Sequence, residues 1–311
     1  MKYRIGLVLC LLLPCLTACT QEDSVRSLRI MTYNIRHGEG MDNEIDLDRQ
    51  ALIMLEAGPD VIGLQEVDSV VKRSGYIDQA AHFGDRLSMY STFGPAIPLT
   101  RGKYGVAILS KEKPWSVHNI PLPGTEPRTL LVCEFFDYVF ACTHLDLNDS
   151  CRLASLAIIE EEAASWDKPF FICGDWNDEP SSTLIKQMKK DNFVFLNNLT
   201  ANNSNFTFPA RNPKSIIDYI ACYGRKFKAL KKRQVINAPE ASDHRPVLVE
   251  VTLPVDAASL RRSPVYEKDP REGTGSWWYD IQGRKTKGKR SQGNGKRHPS
   301  IYVVDGKKIA L

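Results

Sequence analysis

The sequence lacks most of the signatures that place a chain at a glance. It has 8 cysteines but none at the spacing of a structural metal site. It has no glycine-rich phosphate loop, which excludes the common nucleotide-cradling architectures. It has no internal period of the kind that builds a solenoid. Its N-terminal apolar run, Ile5 to Leu13, is too short and too soon broken by Pro14 to be a convincing membrane span. Charge of one sign is also missing from the main body. The formal net charge of +4 conceals 13 Lys+Arg against 6 Asp+Glu from Asp256 onward, so residues 1–255 carry −3. A mildly acidic body does not advertise general nucleic-acid binding.

What is present is globular: 311 residues, 42% hydrophobic and 25% charged, enough for one large domain or two smaller ones. Lys2 and Arg4 ahead of the apolar run, followed by Leu16-Thr17-Ala18-Cys19, form a secretory signal layout. Leu-Thr-Ala-Cys resembles the bacterial lipobox. That resemblance implies a signal peptide over 1–18, lipidation of Cys19, and a cell-envelope location with the membrane reached through the lipid. The alternative is a simple signal peptide with an incidental cysteine. Residues 19–27 form a polar tether whose acidic start is similar to the export signal of some Bacteroidetes lipoproteins. Of the cysteines beyond it, Cys133, Cys142, Cys173 and Cys222 sit in apolar runs and read as small buried hydrophobes. A Cys133–Cys142 disulfide stays open in an oxidising compartment.

Apolar runs at Leu28–Tyr33, Val61–Leu64, Tyr104–Leu109, Thr129–Phe135, Tyr138–Thr143, Phe170–Cys173, Ile216–Cys222 and Val247–Val251 predict strands. Helical spacing covers 46–57 and 78–88, and Asp149 or Ser150 is placed to cap a helix running to Trp166. Hairpins and β–α pieces are mixed, so a regular parallel series is excluded. The run Phe170 to Cys173 stops at Gly174 and at once presents Asp175 and Asn177. A buried strand ending in a carboxylate and a carboxamide is a rigid support for a polar site, though Gly, Asp and Asn are also ordinary turn residues.

Polar groups recur at such strand ends: Asn34, Glu66, His144, Asp175, Asn177, Asp218, Asp243 and His244. Asp218 lies inside an apolar run, where an unpaired carboxylate is costly, so it needs a partner; His244 is the best candidate. Carboxylates and amides together suit Mg²⁺ or Mn²⁺, and a His backed by an Asp suits water activation or charge stabilisation.

Six ordered stretches carry a recognisable pattern: Met31-Thr32-Tyr33-Asn34, Leu64-Gln65-Glu66-Val67, Thr143-His144-Leu145, Gly174-Asp175-Trp176-Asn177, Ile217-Asp218-Tyr219-Ile220 and Ser242-Asp243-His244-Arg245-Pro246. Over residues 28–254 the chain resembles the endonuclease/exonuclease/phosphatase superfamily. The resemblance implies a four-layer α/β/β/α sandwich of two mixed β-sheets flanked by helices. It implies a metal-dependent phosphoesterase that attacks phosphodiesters in line with water, endonuclease-like. Phospholipid head groups, small phosphate esters and a silent binding protein are the alternatives. Glu66 is implied as principal metal ligand, placed by Asn34, with Asp243 serving the metal. His144 and Asn177 are implied as donors to phosphate, and Asp175 as the residue holding water. His244, oriented by Asp218, is implied as base or electrostatic clamp; the base is left open between it and Asp175. Arg128 divides evenly between a phosphate contact and a scaffold residue. Arg36 stands where some relatives carry a second acid, which weakens a two-metal site and makes it a candidate for substrate phosphate. Specificity is assigned to loops 68–80, 94–104 and 197–215. No protein partner is implied.

After residue 254 the character changes. Residues 255–275 read as a linker, and 276–311 as a basic, β-hairpin-like extension. Its motifs resemble C-terminal modules of secreted Bacteroidetes proteins. A sorting signal, a basic arm for anionic surfaces and a solvated tail all remain open.

Overall fold

Each of those apolar runs becomes a strand in the computed structural model, which describes residues 25–254 and, beyond them, the backbone of four short strands. One sheet orders its strands β11-β12-β1-β2-β4-β3: Ala229–Val235, Val247–Pro254, Val25–Asn34, Val61–Ser69, Gly102–Ser110 and Tyr90–Leu99. The other orders β5-β6-β7-β8-β10-β9: Ser116–Leu122, Arg128–Glu134, Val139–His144, Phe170–Asp175, Asp218–Tyr223 and Phe193–Phe195. Both are mixed, because β1–β2 and β7–β8 pair parallel while the other pairs are antiparallel.

Alternation along the strands sorts side chains into three cores. Ile30, Ile108, Leu131, Phe140, Phe171, Ile220 and Val249 fill the space between the sheets. Outside the first sheet, Met31, Leu64 and Leu109 meet Met54 of α1 (Leu47–Ala57) and Phe83 of α2 (Gln79–Leu87). Outside the second, Val132, Ile172 and Tyr219 meet Leu156 and Ile159 of α3 (Asp149–Ala164) and Ile185 and Met188 of α4 (Thr183–Lys190). The result is the α/β/β/α sandwich. Gly63 lets the sheets approach: a Cβ there would lie 2.2 Å from Cys173 Sγ and 2.9 Å from Cys142 Sγ.

Several details depart from expectation. The β1 strand begins at Val25 rather than Leu28, because Val25, Arg26 and Ser27 pair with Pro254, Leu253 and Thr252. The cap of α3 is Asn148, which accepts from Ser150 N and Cys151 N at 2.9 and 3.3 Å, so Asp149 is already helical. Segment 94–104 is not a loop but the β3–β4 hairpin. Cys133 and Cys142 are free thiols, because Cys133 faces Phe140 across the ladder and Cys142 faces Leu131. The four strands that no apolar run predicts, β3, β5, β9 and β11, are the four sheet edges. Edge strands tolerate prolines and charges that an interior strand does not; Pro95 and Pro98 lie in β3 and Lys231, Lys232 and Arg233 in β11.

In the C-terminal extension, β13 (Trp277–Tyr279) pairs antiparallel with β14 (Lys285–Lys287), and β15 (Ile301–Val304) with β16 (Lys307–Ala310). The signal peptide, Cys19 and the linker lie outside the described residues. Among the described residues, no helix is long and apolar enough to cross a membrane.

One titratable pair sits between helices. Burial and then the Asp191 carboxylate push Glu160 up from 4.5 to about 7. A folded-state value above the free one favours folding below pH 4.5 and loses that contribution as pH rises through about 7. Glu160→Gln is therefore expected to raise the thermal midpoint at pH 8 and leave it unchanged at pH 5, as two calorimetric scans would show.

Candidate active site

Strand register assembles the site. In the parallel β7–β8 ladder, His144 lies opposite Asp175. In the antiparallel β8–β10 ladder, Asp175 lies opposite Asp218. Three polar side chains thus share one end of the sheet. Gly174, one residue before Asp175, has no room for a side chain, since a Cβ would lie 2.0 Å from Thr143 O.

The other sheet contributes Asn34, the last residue of β1, and Glu66, which sits in a bulge of β2 with φ +59°. A non-glycine residue in that conformation costs free energy, and here it turns a carboxylate out of the strand into the site. Asp243 and His244 arrive on the segment before β12. Ser242 Oγ donates to Asn34 O at 2.8 Å and His244 N approaches Ser242 Oγ at 3.3 Å.

Asn34 joins the two halves. Its Nδ2 donates to Glu66 Oε1 at 3.0 Å and to Asp175 Oδ2 at 3.1 Å, while its Oδ1 accepts from Arg36 N at 3.0 Å. Asn34 therefore places carboxylates and keeps its own oxygen occupied. His244 Nδ1 lies 3.0 and 3.2 Å from the two Asp218 oxygens, and its Nε2 lies 3.5 Å from Asp175 Oδ2. Burial alone would lower the His244 pKa, but Asp218, Asp175 and then Asp243 overcome it and lift it to about 10. It is an imidazolium at neutral pH.

His144 behaves in the opposite way. Burial dominates, and despite Asp175 its pKa falls to about 4, so its ring is neutral. Asn177 Nδ2 donates to Leu145 O at 2.9 Å, which fixes the amide orientation, and reaches His144 Nε2 at 3.1 Å. His144 Nε2 is then the acceptor and Nδ1 carries the proton. Both amide hydrogens of Asn177 are engaged, so it orients His144 in this arrangement rather than offering a free donor. Glu66 is raised above its ordinary value, first by burial, then by Asp243 and Asp175 against the relief given by Asn34 and His244.

All eight expected residues therefore converge. Arg128, 8% exposed, lines a narrow cleft with His144, Tyr104 and Ala96. Arg36 turns instead to Glu39 at 3.0 Å and Gly40 O at 3.2 Å, and its Nε is 3.9 Å from Asp243.

Ligand atoms of Asp175, Asp218 and His244 lie within 4.8 Å of one another, a set that would hold a metal ion only with the His244 ring deprotonated. The oxygen-rich side of the site fits a hard divalent cation as well. There Glu66, Asp243 and Asp175 repel one another and raise Glu66, a strain that a cation would remove.

Sequence reasoning missed the supports. Thr207 Oγ1 accepts from Ile217 N and Asp218 N at 3.2 and 3.4 Å, and the Phe208 ring lies 4.7 Å from the His244 ring. Buried Asp146 accepts from Thr125 Oγ1, Glu126 N and Asn148 N, holding the segment ahead of Arg128. Its position two residues after His144 was the available signal.

The fold and its family have counterparts among known proteins. The endonuclease/exonuclease/phosphatase family model matches residues 31–244, and the chain belongs to that family of metal-dependent phosphoesterases. No curated protein matches it. Among solved structures it is similar to an endonuclease/exonuclease/phosphatase from Beutenbergia cavernae, with TM-score 0.63 and 20% identity over 73% of this chain and 72% of that one. It is similar to a mannosyl-6-phosphatase from Bacteroides thetaiotaomicron, with TM-score 0.58 and 17% identity over 72% and 99%. It is also similar to ANGEL2, a 2',3'-cyclic phosphatase, with TM-score 0.60 and 16% identity over 74% and 96%. At such identities the likeness is one of fold.

Proposed function

We propose that the chain is a Mg²⁺- or Mn²⁺-dependent phosphodiesterase that cleaves by in-line attack of water, in the manner of an endonuclease. The observation that carries this reading is the Asn34 amide, which crosses between the sheets and holds Glu66 and Asp175 on either side of one polar space. Glu66 and Asp243 would hold the metal. When bound, the metal supplies a Lewis acid to the phosphoryl oxygen. Asp175 orients the attacking water and takes its proton, because His244 is already protonated. His244, clamped by Asp218, donates to a phosphate oxygen and neutralises charge. His144 presents its Nδ1–H, which has no partner among the described residues.

A second reading, a phosphatase of small esters or of lipid head groups, has support of its own. Exposed Asp42, Glu44, Asp46, Glu179 and Glu240 lie on loops at the site end, and exposed Asp149 opens α3 there, which disfavours a long polyanion. Envelope anchoring through Cys19 belongs to the same proposal; its check is membrane release of a Cys19→Ala variant.

The test is nicking of supercoiled plasmid by the protein starting after Cys19, with Mg²⁺, Mn²⁺ or EDTA. Metal-dependent nicking is expected. Hydrolysis of a simple phosphodiester without nicking would favour the second reading, and no hydrolysis of any phosphate ester would leave a silent binding protein.

A further inference from the structure

The turn after β2 carries a feature that hydrolysis of a simple diester does not require. Asp68 is fully buried and accepts from Arg73 Nε and Nη2, each at 2.9 Å, while the Arg73 side chain stays 42% exposed. Burying a carboxylate is expensive. Here it engages Nε and Nη2 of the guanidinium and so fixes the orientation of the remaining Nη1 donors, which are left for a further oxyanion. That guanidinium lies over the Tyr104 ring, 5.3 Å from its centroid. It is near enough to Glu66, the implied metal ligand, for the two charges to interact.

Tyr104 is a wall of the cleft shared by Arg128 and His144. Two buried N–H groups there, Arg128 Nε and His144 Nδ1, have no hydrogen-bond partner among the described residues, and both residues are 8% exposed. Buried donors without acceptors are rare in folded proteins and call for a ligand. One acceptor group, the scissile phosphate, accounts for His144. It leaves the Nε–H of Arg128, whose Nη2 pairs with Glu126 at 2.9 Å, and the outward side of Arg73, whose inner side is held by Asp68, to be accounted for. Exposed Lys72 and Arg101 flank them, on turns tied together by Lys72 N donating to Thr100 Oγ1 at 3.4 Å. The cations thus lie together on the flank built by the β2 turn and the β3–β4 hairpin, in a rim otherwise rich in carboxylates.

We infer that the substrate carries a second phosphate, which docks between Arg128 and Arg73 beside the phosphate being cleaved. The inference rests on the phosphoesterase reading and narrows it to bisphosphorylated esters. The second phosphate comes either from a small bisphosphate or from the next link of a short nucleic-acid strand. Arg73 is a positioning residue for this group, and Asp68 fixes it in place.

The experiment compares thymidine 5'-(p-nitrophenyl phosphate) with its 3'-phosphorylated form, beside a tetranucleotide, using protein loaded with Mn²⁺. The wild type is expected to favour the 3'-phosphorylated ester by about tenfold in kcat/KM, mainly through KM, as for a charge-assisted contact of about 1.4 kcal/mol. Arg73→Ala should erase most of that preference. Because this variant leaves Asp68 buried without a partner, two further variants guard against misfolding. Asp68→Asn with Arg73→Gln keeps a neutral hydrogen-bonded pair, and Lys72→Glu with Arg101→Glu changes only exposed charge. Both should reduce the preference, and raised salt should weaken it in the wild type. A preference for the bisphosphate at least equal to that for the tetranucleotide assigns the small-molecule source; the reverse order assigns the strand. Equal rates for the two esters in the wild type, or a preference that survives in all three variants, overturns the inference while leaving the hydrolase intact. No hydrolysis of either ester or of the tetranucleotide overturns the inference together with the phosphodiesterase reading.

Discussion

Replacing His244 by alanine is expected to lower kcat about a thousandfold, the range measured when a general acid–base or an oxyanion donor is removed. The ring is 4% exposed and sits between Asp218 and Asp175. Its protonated state is set by those carboxylates, so the substitution removes a cation as well as a donor. The pH dependence of stability supplies an independent sign. A histidine lifted from 6.5 to about 10 on folding contributes stability that is complete below pH 6.5 and is lost as pH rises toward 10. The wild type should therefore lose stability across that window, and His244→Ala should lack that part of the slope. Denaturant midpoints at pH 6, 8 and 10 for both proteins check it. Parallel pH curves would show that His244 is neutral in the fold and return the proton-accepting role to it.

Glu66→Gln is expected to cost on the order of a thousandfold in kcat/KM, the several kcal/mol that a Lewis acid contributes to a developing phosphoryl charge. The amide keeps an oxygen for Asn34 Nδ2 and removes the charge, so the fold is preserved. Metal supplies the second readout. A ligand that binds only the folded protein raises its midpoint by mass action, so excess Mn²⁺ should stabilise the wild type and have little effect on the variant. In EDTA the order reverses. Glu66 is half-buried near Asp243 and Asp175 and is raised by its desolvation and by them, so its neutral replacement should melt at an equal or higher temperature. An equal Mn²⁺ shift in both proteins would move the metal to the cluster of Asp175, Asp218 and His244.

The interior of the sandwich was legible because interior strands are apolar on both faces. The edges were not. The Gly94, Pro95 and Pro98 of β3 punctuate it as a loop would, and the lysines of β11 hide its alternation. The site was legible as a list of residues, because carboxylates and histidines at the ends of apolar runs have few structural excuses. Their chemistry was not. Two histidines, one ending an apolar run and one preceding another, end in opposite protonation states, His144 near 4 and His244 near 10. The difference lies in which carboxylates each ring meets, and that follows from cross-strand register and the packing of one sheet on the other. The role of Arg73 was equally hidden, since only the fold shows that Asp68 is buried and that Tyr104 lies beneath the guanidinium.

The first strand also has a direction. Its 10 residues run from Val25 to Asn34, about 33 Å at 3.3 Å per residue, and Asn34 lies in the candidate site. Anything that tethers the protein by the chain ahead of Val25 therefore holds it by its far end. A lipid on Cys19 would stand the molecule on that end with its catalytic mouth turned outward, beyond easy reach of the head groups of its own bilayer. The phosphate esters it meets would be those arriving from the surroundings.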